Sequence, residues 1–396
     1  MRDFPLLREI LPPLLDWTTN HALPFWGTVG VDAARGGFHE RLDLLGQPVL
    51  DVPKRLMVQG RQLYVYSQAG LLGWYPDSRP VADRCVEYIV ASFYRRDGNP
   101  GWVHSLAPDG SIGSAIRETY AHAFVLLGLA WYHRLTRDAQ VLKIVDETWE
   151  FLDEAAGSIH GGYFDAVPGP CDFRRQNPHM HLFESGIALY HATGDARYLA
   201  RCGEIFALFS AKFFRPPYGT LCEYMTRELH PLQDPRGRIS EPGHHYEWIW
   251  LLRLFQRASG RKVDPYCVAL YEYADRYGWD AKGFVIDELT QTGKVLKNSR
   301  RSWPHAEALK ANIVEGECGR LGCDERAARC VARLLGTFIG RPIRGGWIDH
   351  TDGAGRPIVT MIPASTLYHI FCATTEAARA IGEPGESTAR AIACSA

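Results

Sequence analysis

The chain has no surplus of charge, no long apolar run and no paired-cysteine motif, and each absence removes a class of protein. Lysine and arginine number 44 against 45 acidic residues in a chain of 396. That balance offers no basic face for nucleic acid and no polybasic segment for an anionic bilayer. Apolar stretches are interrupted before they reach the roughly 18 residues of a membrane-spanning helix. In MRDFPLLREILPPLLDWTTNHALPFW, Asp3, Arg8, Glu9 and Asp16 also break what would be the apolar core of a secretory leader. The ten cysteines include no Cys-x-x-Cys, Cys318 and Cys323 being the closest two. Scattered thiols without a leader read as reduced core residues of a cytoplasmic protein. Gly-x-Gly-x-x-Gly after a strand, Gly-Lys-Ser/Thr and His-Glu-x-x-His are missing too. No dinucleotide, phosphate-loop or zinc-helix fingerprint is therefore legible.

What is present is a repeat. A glycine followed by an aromatic recurs at Gly36-Gly37-Phe38, Gly101-Trp102, Gly161-Gly162-Tyr163, Gly283-Phe284 and Gly345-Gly346-Trp347, with a weaker match at Gly219. Between Gly37, Gly101, Gly162, Gly219, Gly283 and Gly346 the spacings are 64, 61, 57, 64 and 63. Several markers lead into hairpin-like text, as in FVIDELTQTGKVL and WIDHTDGAGRPIV, where apolar residues alternate around a turn.

Pairs of helix-period segments lie between the markers: 58–70 with 80–92, 120–136 with 141–155, and 182–191 with 198–213. Then come 246–257 with 265–277, 307–316 with 324–336, and 366–381 paired with 6–18. One helix pair cannot bury both its apolar faces, whereas a closed ring of six can. The pattern predicts an all-α (α/α)6 barrel of twelve helices with short β-hairpins in the rim loops, filling residues 1–396 as one domain. An open solenoid is the competing arrangement, but rim loops of this length are unusual for one.

Fifteen histidines are spread over the chain, and four phrases carry polar groups at helix spacing. NPHMHLFES places Asn177, His181 and Glu184 on one helical face. EPGHHYEWIWLL places His244 and Glu247 three apart, so that Glu247 is expected to orient the ring of His244. SWPHAEALKA brings Trp303, His305 and Glu307 to a helix entry, and PASTLYHIF puts Tyr368 and His369 at the start of the last helix. A single histidine at a helix start is ordinarily a surface or capping residue; four such phrases in repeat-equivalent places point to a site at one mouth of the ring. Arg61, mid-helix among apolar neighbours, needs a partner carboxylate or a ligand. Tyr120 in RETYAHAF would face inward, with core packing as its default role. His179 with His181, or His244 with His245, come nearest to ligand spacing, yet residues one or two apart point to different faces of a helix. The sequence calls for no metal and no cofactor.

Taken in this order and spacing, KRLMVQGRQLYVYS, ETYAHAFVLLGLA, NPHMHLFES, EPGHHYEWIWLL, SWPHAEALKA and TLYHIF make the chain resemble the N-acylglucosamine 2-epimerase superfamily from about Pro24 to Ile381. That group has an (α/α)6 barrel and includes cellobiose 2-epimerases and mannose isomerases. The resemblance implies a catalytic set of His369, His244, His181, Arg61 and Glu247, with Tyr120, Asn177, Glu184 and Trp303 on the substrate. The chain departs from the epimerase pattern in three places. Ala364 stands where a tryptophan precedes the last histidine, Cys372 where an arginine follows it, and Met57 where a tryptophan precedes Arg61. The TLYH text is similar to the mannose isomerase branch, and the missing aromatics disfavour a disaccharide.

Such residues suit proton transfer at a sugar carbon. Removing the C2 proton of an open-chain aldose makes a cis-enediolate, which needs a base poised near neutral pH and donors at the developing oxyanion. Histidine and arginine supply these. One base carrying the proton from C2 to C1 gives an aldose–ketose isomerase, here D-mannose to D-fructose; two bases on opposite faces give a 2-epimerase. The expected partner is a monosaccharide. A glycoside hydrolase or lyase using two of Asp165, Glu223, Asp287, Glu288 and Asp349 is a competing reading. So is a sugar-binding toroid with Trp303 and Trp347 as platforms. Arg174-Arg175 and Arg300-Arg301 could take a sugar phosphate, but solvated surface pairs are the expectation.

Overall fold

The computed structural model describes residues 3–168 and 172–383. Among them, twelve helices form two concentric layers. The first, α1, is segmented: Pro5–Ile10, Pro12–Trp17, Thr18–Ala22 and Leu23–Thr28. Then follow α2 (Leu56–Leu72), α3 (Ser78–Phe93), α4 (Thr119–Thr136), α5 (Gln140–Phe151), α6 (Gln176–Thr193) and α7 (Ala196–Leu208). The second half holds α8 (Pro242–Ser259), α9 (Asp264–Tyr277), α10 (Trp303–Glu317), α11 (Cys323–Arg333) and α12 (Leu367–Ile381). Even-numbered helices pack side by side as a closed inner ring, α12 returning to α2, and the odd-numbered ones lie outside them. No helix among the described residues is long and apolar enough to cross a membrane.

The two layers follow from two kinds of sequence. Inner α10 is buried at every position from Pro304 to Gly316, as a helix enclosed on all sides must be. Outer α11 is buried only at Cys323, Ala327, Cys330 and Val331, the one-sided stripe of a helix that meets water on its other face. The outer helix α1 closes the ring: backbone N–H groups of Leu6 and Leu7 donate to the Asp324 carboxylate of α11, and Arg8 reaches the carbonyl of Ile381 on α12 at 2.7 Å. Trp26 of α1 stacks on Trp347 with ring centres 5.0 Å apart.

At one mouth the short strands form a second closure. The strand before each inner helix pairs antiparallel with a strand in the following loop: Lys54–Arg55 with Ser105–Leu106, Arg117–Glu118 with Ala166–Val167, and Arg174–Arg175 with Tyr224–Met225. The series continues with Ile239–Ser240 on Glu288–Thr290 and Arg300–Arg301 on His350–Thr351. Met361–Pro363 then returns to Arg41–Asp43. A solenoid has no such return, so the structure is the predicted ring.

The glycine markers record how each loop is tied to its inner helix. Buried ring nitrogens Nε2 of His122, His179, His245 and His305 accept the backbone N–H of Trp102, Tyr163, Leu221 and Val285 at 2.9–3.2 Å. Gln59 does the same for Phe38. Gly162 shows why glycine is needed: its φ is 61°, and a Cβ there would stand 2.4 Å from the His179 ring. Burial drives these four imidazoles far below their ordinary pKa, to about 4, 3, 3 and 4 in chain order, so they remain neutral acceptors.

Three helices start earlier than their apolar period suggests: α6 at Gln176, α8 at Pro242 and α10 at Trp303. Their first two turns carry Asn177, His181, His244 and Trp303, and polar residues at a helix start look like loop in a hydrophobicity reading.

Candidate active site

The first two turns of the inner helices converge below the rim. Arg61 comes from α2, Tyr120 from α4, and Asn177, His181 and Glu184 from α6. Helix α8 supplies His244 and Glu247, α10 Trp303, and α12 His369. Trp303, half-buried, lies between two imidazoles, its ring centre 5.3 Å from His244 and 5.4 Å from His369. His181 packs on Tyr120 and Phe124 at 5.2 and 4.4 Å. Its Nε2 is 3.9 Å from Glu247 Oε1. Donor atoms of Glu247, Glu307 and His369 in turn lie within 4.8 Å of one another. Of the nine sequence-derived residues, all but Asn177 are joined by such contacts, with Arg61 meeting Tyr120 and Glu184 meeting His181.

The two histidines flanking Trp303 are charged in opposite ways. Nδ1 of His369 meets Glu307 Oε1 at 2.7 Å, while its Nε2 makes no hydrogen bond among the described residues. Burial, with Arg61 and Lys310 as positive neighbours, holds this ring well below the usual imidazole range. Burial also opposes charge on His244, but Glu223, 2.9 Å from its Nδ1, and Glu241 outweigh it and raise the ring to about 9. His181 is brought down to about 4 by burial, against the pull of Glu184 at 2.9 Å. Burial and the nearby Glu307 and Glu184 push the Glu247 carboxyl well above its ordinary value.

Arg61 is 5% exposed and donates to the Tyr120 hydroxyl at 2.7 Å and the Ser365 carbonyl at 3.0 Å. Its guanidinium lies over Phe124 and Tyr368, 4.2 and 4.9 Å from the ring centres, and its Nε is without a partner. A buried guanidinium with a spare donor, held by aromatics and neutral oxygens, keeps its charge for a ligand. The Asn177 Oδ1 is likewise buried and unpartnered.

Several expectations change. Glu247 does not orient His244; Glu223 does, itself fixed by Gln176 Nε2 at 2.9 Å and the Glu241 backbone N–H. Helical spacing pairs residues on one helix and cannot show a carboxylate delivered by a neighbouring loop. The arginine pairs are not solvated surface residues. Arg174 and Arg300 are 0% and 4% exposed; the first binds the carbonyls of Gly161 and Tyr163, the second pairs with Asp280. Arg175 and Arg301 are tied to Asp165 and Asp287 at 2.5 and 2.8 Å. Those ties commit two of the carboxylates a hydrolase would need, and Asp349 is committed to Ser302 and Thr366. Trp347, fully buried against Trp26, is no sugar platform. Glu223, Glu307, Lys310 and Tyr368, which donates to Glu184 at 2.5 Å, were given no role beside the histidines by the sequence. For Glu307 and Lys310 the available signal was charge at positions of an inner helix that is otherwise largely small or apolar.

Spacing also hid clusters that could hold a cation. His181–Glu184–Glu247, Glu223–Glu241–His244 and Glu247–Glu307–His369 each bring donor atoms within 4.8 Å, two of them from different helices. In each, however, one ring nitrogen already faces a carboxylate at 2.7–2.9 Å. Fixed cations stand beside them, Lys310 2.7 Å from Glu307 and Arg301 2.8 Å from Glu241. These are the distances of shared protons, and the neighbouring positive charges oppose a further cation.

A family model described as N-acylglucosamine 2-epimerase (GlcNAc 2-epimerase) matches residues 36–373. The mannose-6-phosphate isomerase of Rhizobium meliloti (strain 1021) is 32% identical over 374 residues, 92% of this chain and 95% of that protein. The D-mannose isomerase of Thermobifida fusca is 26% identical, covering 84% of this chain and 86% of that one. In shape, the chain is similar to the cellobiose 2-epimerase of Spirochaeta thermophila DSM 6192, with a TM-score of 0.83 at 24% identity over 96% of this chain and 98% of that structure. With a ring of six helix pairs and a histidine chamber at its mouth, the chain belongs to the N-acylglucosamine 2-epimerase family and is a sugar isomerase or epimerase.

Proposed function

We propose that the enzyme interconverts D-mannose and D-fructose by a single-base route. The observation that carries this is the opposite charging of the two histidines about Trp303. Environments that push two titratable groups apart assign base and acid. His369, neutral with Nε2 free, takes the C2 proton and returns it at C1. Arg61 holds the sugar oxygens as the enediolate charge develops. His244, protonated, donates to the ring oxygen when the pyranose opens. His181 and Glu247 exchange protons at the sugar oxygens, while Tyr120, Asn177, Glu184 and Trp303 contact the substrate. The scheme uses no metal.

The nearly equal distances of His244 and His369 from Trp303 favour a second reading, a 2-epimerase with a base on each face. A histidine raised to about 9 is, however, a poor base at neutral pH. Because Arg174, Arg175, Arg300 and Arg301 are all engaged by the protein, the reading favours the free sugar over its phosphate.

Incubation with D-mannose, D-glucose and mannose 6-phosphate in deuterated water, followed by NMR, tests the scheme. Fructose from free mannose, with deuterium at C1, is the expected product, and His369→Ala should lower its formation by about a hundredfold or more. Glucose as the dominant early product would establish the two-base reading and make His244 the second base. A rate lost on chelation and restored by one divalent ion would overturn the proton scheme.

A further inference from the structure

Helix α10 carries an ammonium where the barrel interior gives it no water. Lys310 is 0% exposed. Its Nζ lies 2.7 Å from Glu307 Oε2, 3.7 Å from the centre of the Trp250 ring and 3.7 Å from Cys372 Sγ. Burial works against the charge, but Cys372, Glu307, Glu247 and Glu184 together outweigh it. Full burial keeps Lys310 off the substrate, so whatever it does passes through Glu307.

The two oxygens of Glu307 are divided between two partners. Oε2 faces Lys310, and Oε1 faces Nδ1 of His369 at 2.7 Å. Burial raises the Glu307 carboxyl and the ammonium, ion-paired with Oε2, opposes that shift; an ionised Glu307 has no proton to donate, so the proton shared with His369 resides on Nδ1 and Nε2 is left bare. Without the ammonium, Glu307 would stand beside Glu247 in a dry pocket with no cation on Oε2. It would then take up a proton, and as a carboxylic acid it could donate to Nδ1. The ring proton would move to Nε2, the atom needed as base. We propose that Lys310 is a positioning residue that fixes the tautomer of His369 by keeping Glu307 a pure acceptor. This rests on His369 being the base, as proposed above.

The test compares Lys310→Met, Glu307→Gln and the double variant, using 15N-histidine NMR without substrate and kcat and KM on D-mannose. In the parent enzyme the His369 resonances, identified by their loss in His369→Gln, should show Nδ1 protonated and Nε2 bare. In Lys310→Met that pattern should invert, with kcat down at least about tenfold and KM within about threefold. In the Glu307→Gln background the amide oxygen still accepts from Nδ1 and no carboxylate needs a cation. There, adding Lys310→Met should lower kcat no further. An unchanged tautomer in Lys310→Met, or equal kcat losses in both backgrounds, would overturn the proposal and leave Lys310 a filler of space. If Lys310→Met fails to fold, the double variant, which lacks the uncompensated carboxylate, decides the matter by the same kcat comparison. If the parent enzyme does not turn over mannose, the proposed function fails, while the tautomer comparison still judges Lys310.

Discussion

Glu247 stands among Glu184, Glu307 and His181, with one oxygen that meets no hydrogen-bond donor. Glutamine reproduces the shape and neutrality of a protonated carboxyl but cannot release its proton. Glu247→Gln should therefore leave the thermal midpoint within a few degrees and cut kcat on mannose by about a hundredfold. Parallel losses of stability and turnover would place Glu247 in the framework instead. At this scale the sequence showed which residues meet and hid how they are paired. His244 and Glu247 are three apart, yet the ring turns to Glu223, 21 positions away in the chain. Residues carried by the same helix can be read from its period; a partner brought by another element depends on packing between elements.

His179 and His181 are two positions apart on one helix and do unrelated work. The former faces outward and accepts the Tyr163 N–H; the latter faces the chamber. His179→Phe keeps the ring but leaves that buried N–H unpaired, a loss of about 1–3 kcal/mol. Chemical denaturation should detect this loss while kcat stays within about twofold; a collapse of kcat with unchanged stability would show that the clamp belongs to the chemistry. Elements were legible where burial follows a stripe, as in α11. They were less so where an inner helix opens with polar side chains, as α6 does at Gln176. The glycine markers were visible as a rhythm, but their cause, a histidine 2.4 Å from where a Cβ would be, is a contact between elements.

For the whole ring, the histidines set the pH range of stability. His122, His179, His245 and His305 are held near 3–4 when folded against 6.5 when free. Between those values the unfolded chain binds protons that the folded one refuses, so stability falls as the solution is acidified below about 6.5, by up to about 1.4 kcal/mol per pH unit for each ring. His244 has the opposite sign. Raised to about 9, its contribution is complete below 6.5 and is lost as pH climbs through 9. Melting temperature against pH should thus peak near about 6.5, falling steeply on the acid side, where four rings act, and more gently between about 6.5 and 9, where His244 acts alone among these five; a curve still rising from pH 6 down to 4 would contradict the neutral clamps. If His244 is the acid, as proposed, turnover should hold until pH climbs through about 9. The number of units and the order of helices were readable from the chain, whereas the six strand pairs around the mouth were not, since each joins segments too short to carry a pattern.

That mouth is closed by Met361–Pro363 meeting Arg41–Asp43, and the Arg61 guanidinium donates to the carbonyl of Ser365, 304 positions onward. Synthesis runs from one end, so five of the six inner helices leave the ribosome before the one that bears His369. A growing polypeptide can carry its arginine, its tryptophan and two of its three chamber histidines and still lack the base proposed above. Turnover should therefore require the last inner helix, and a message cut short before His369 should yield a product without the proposed base.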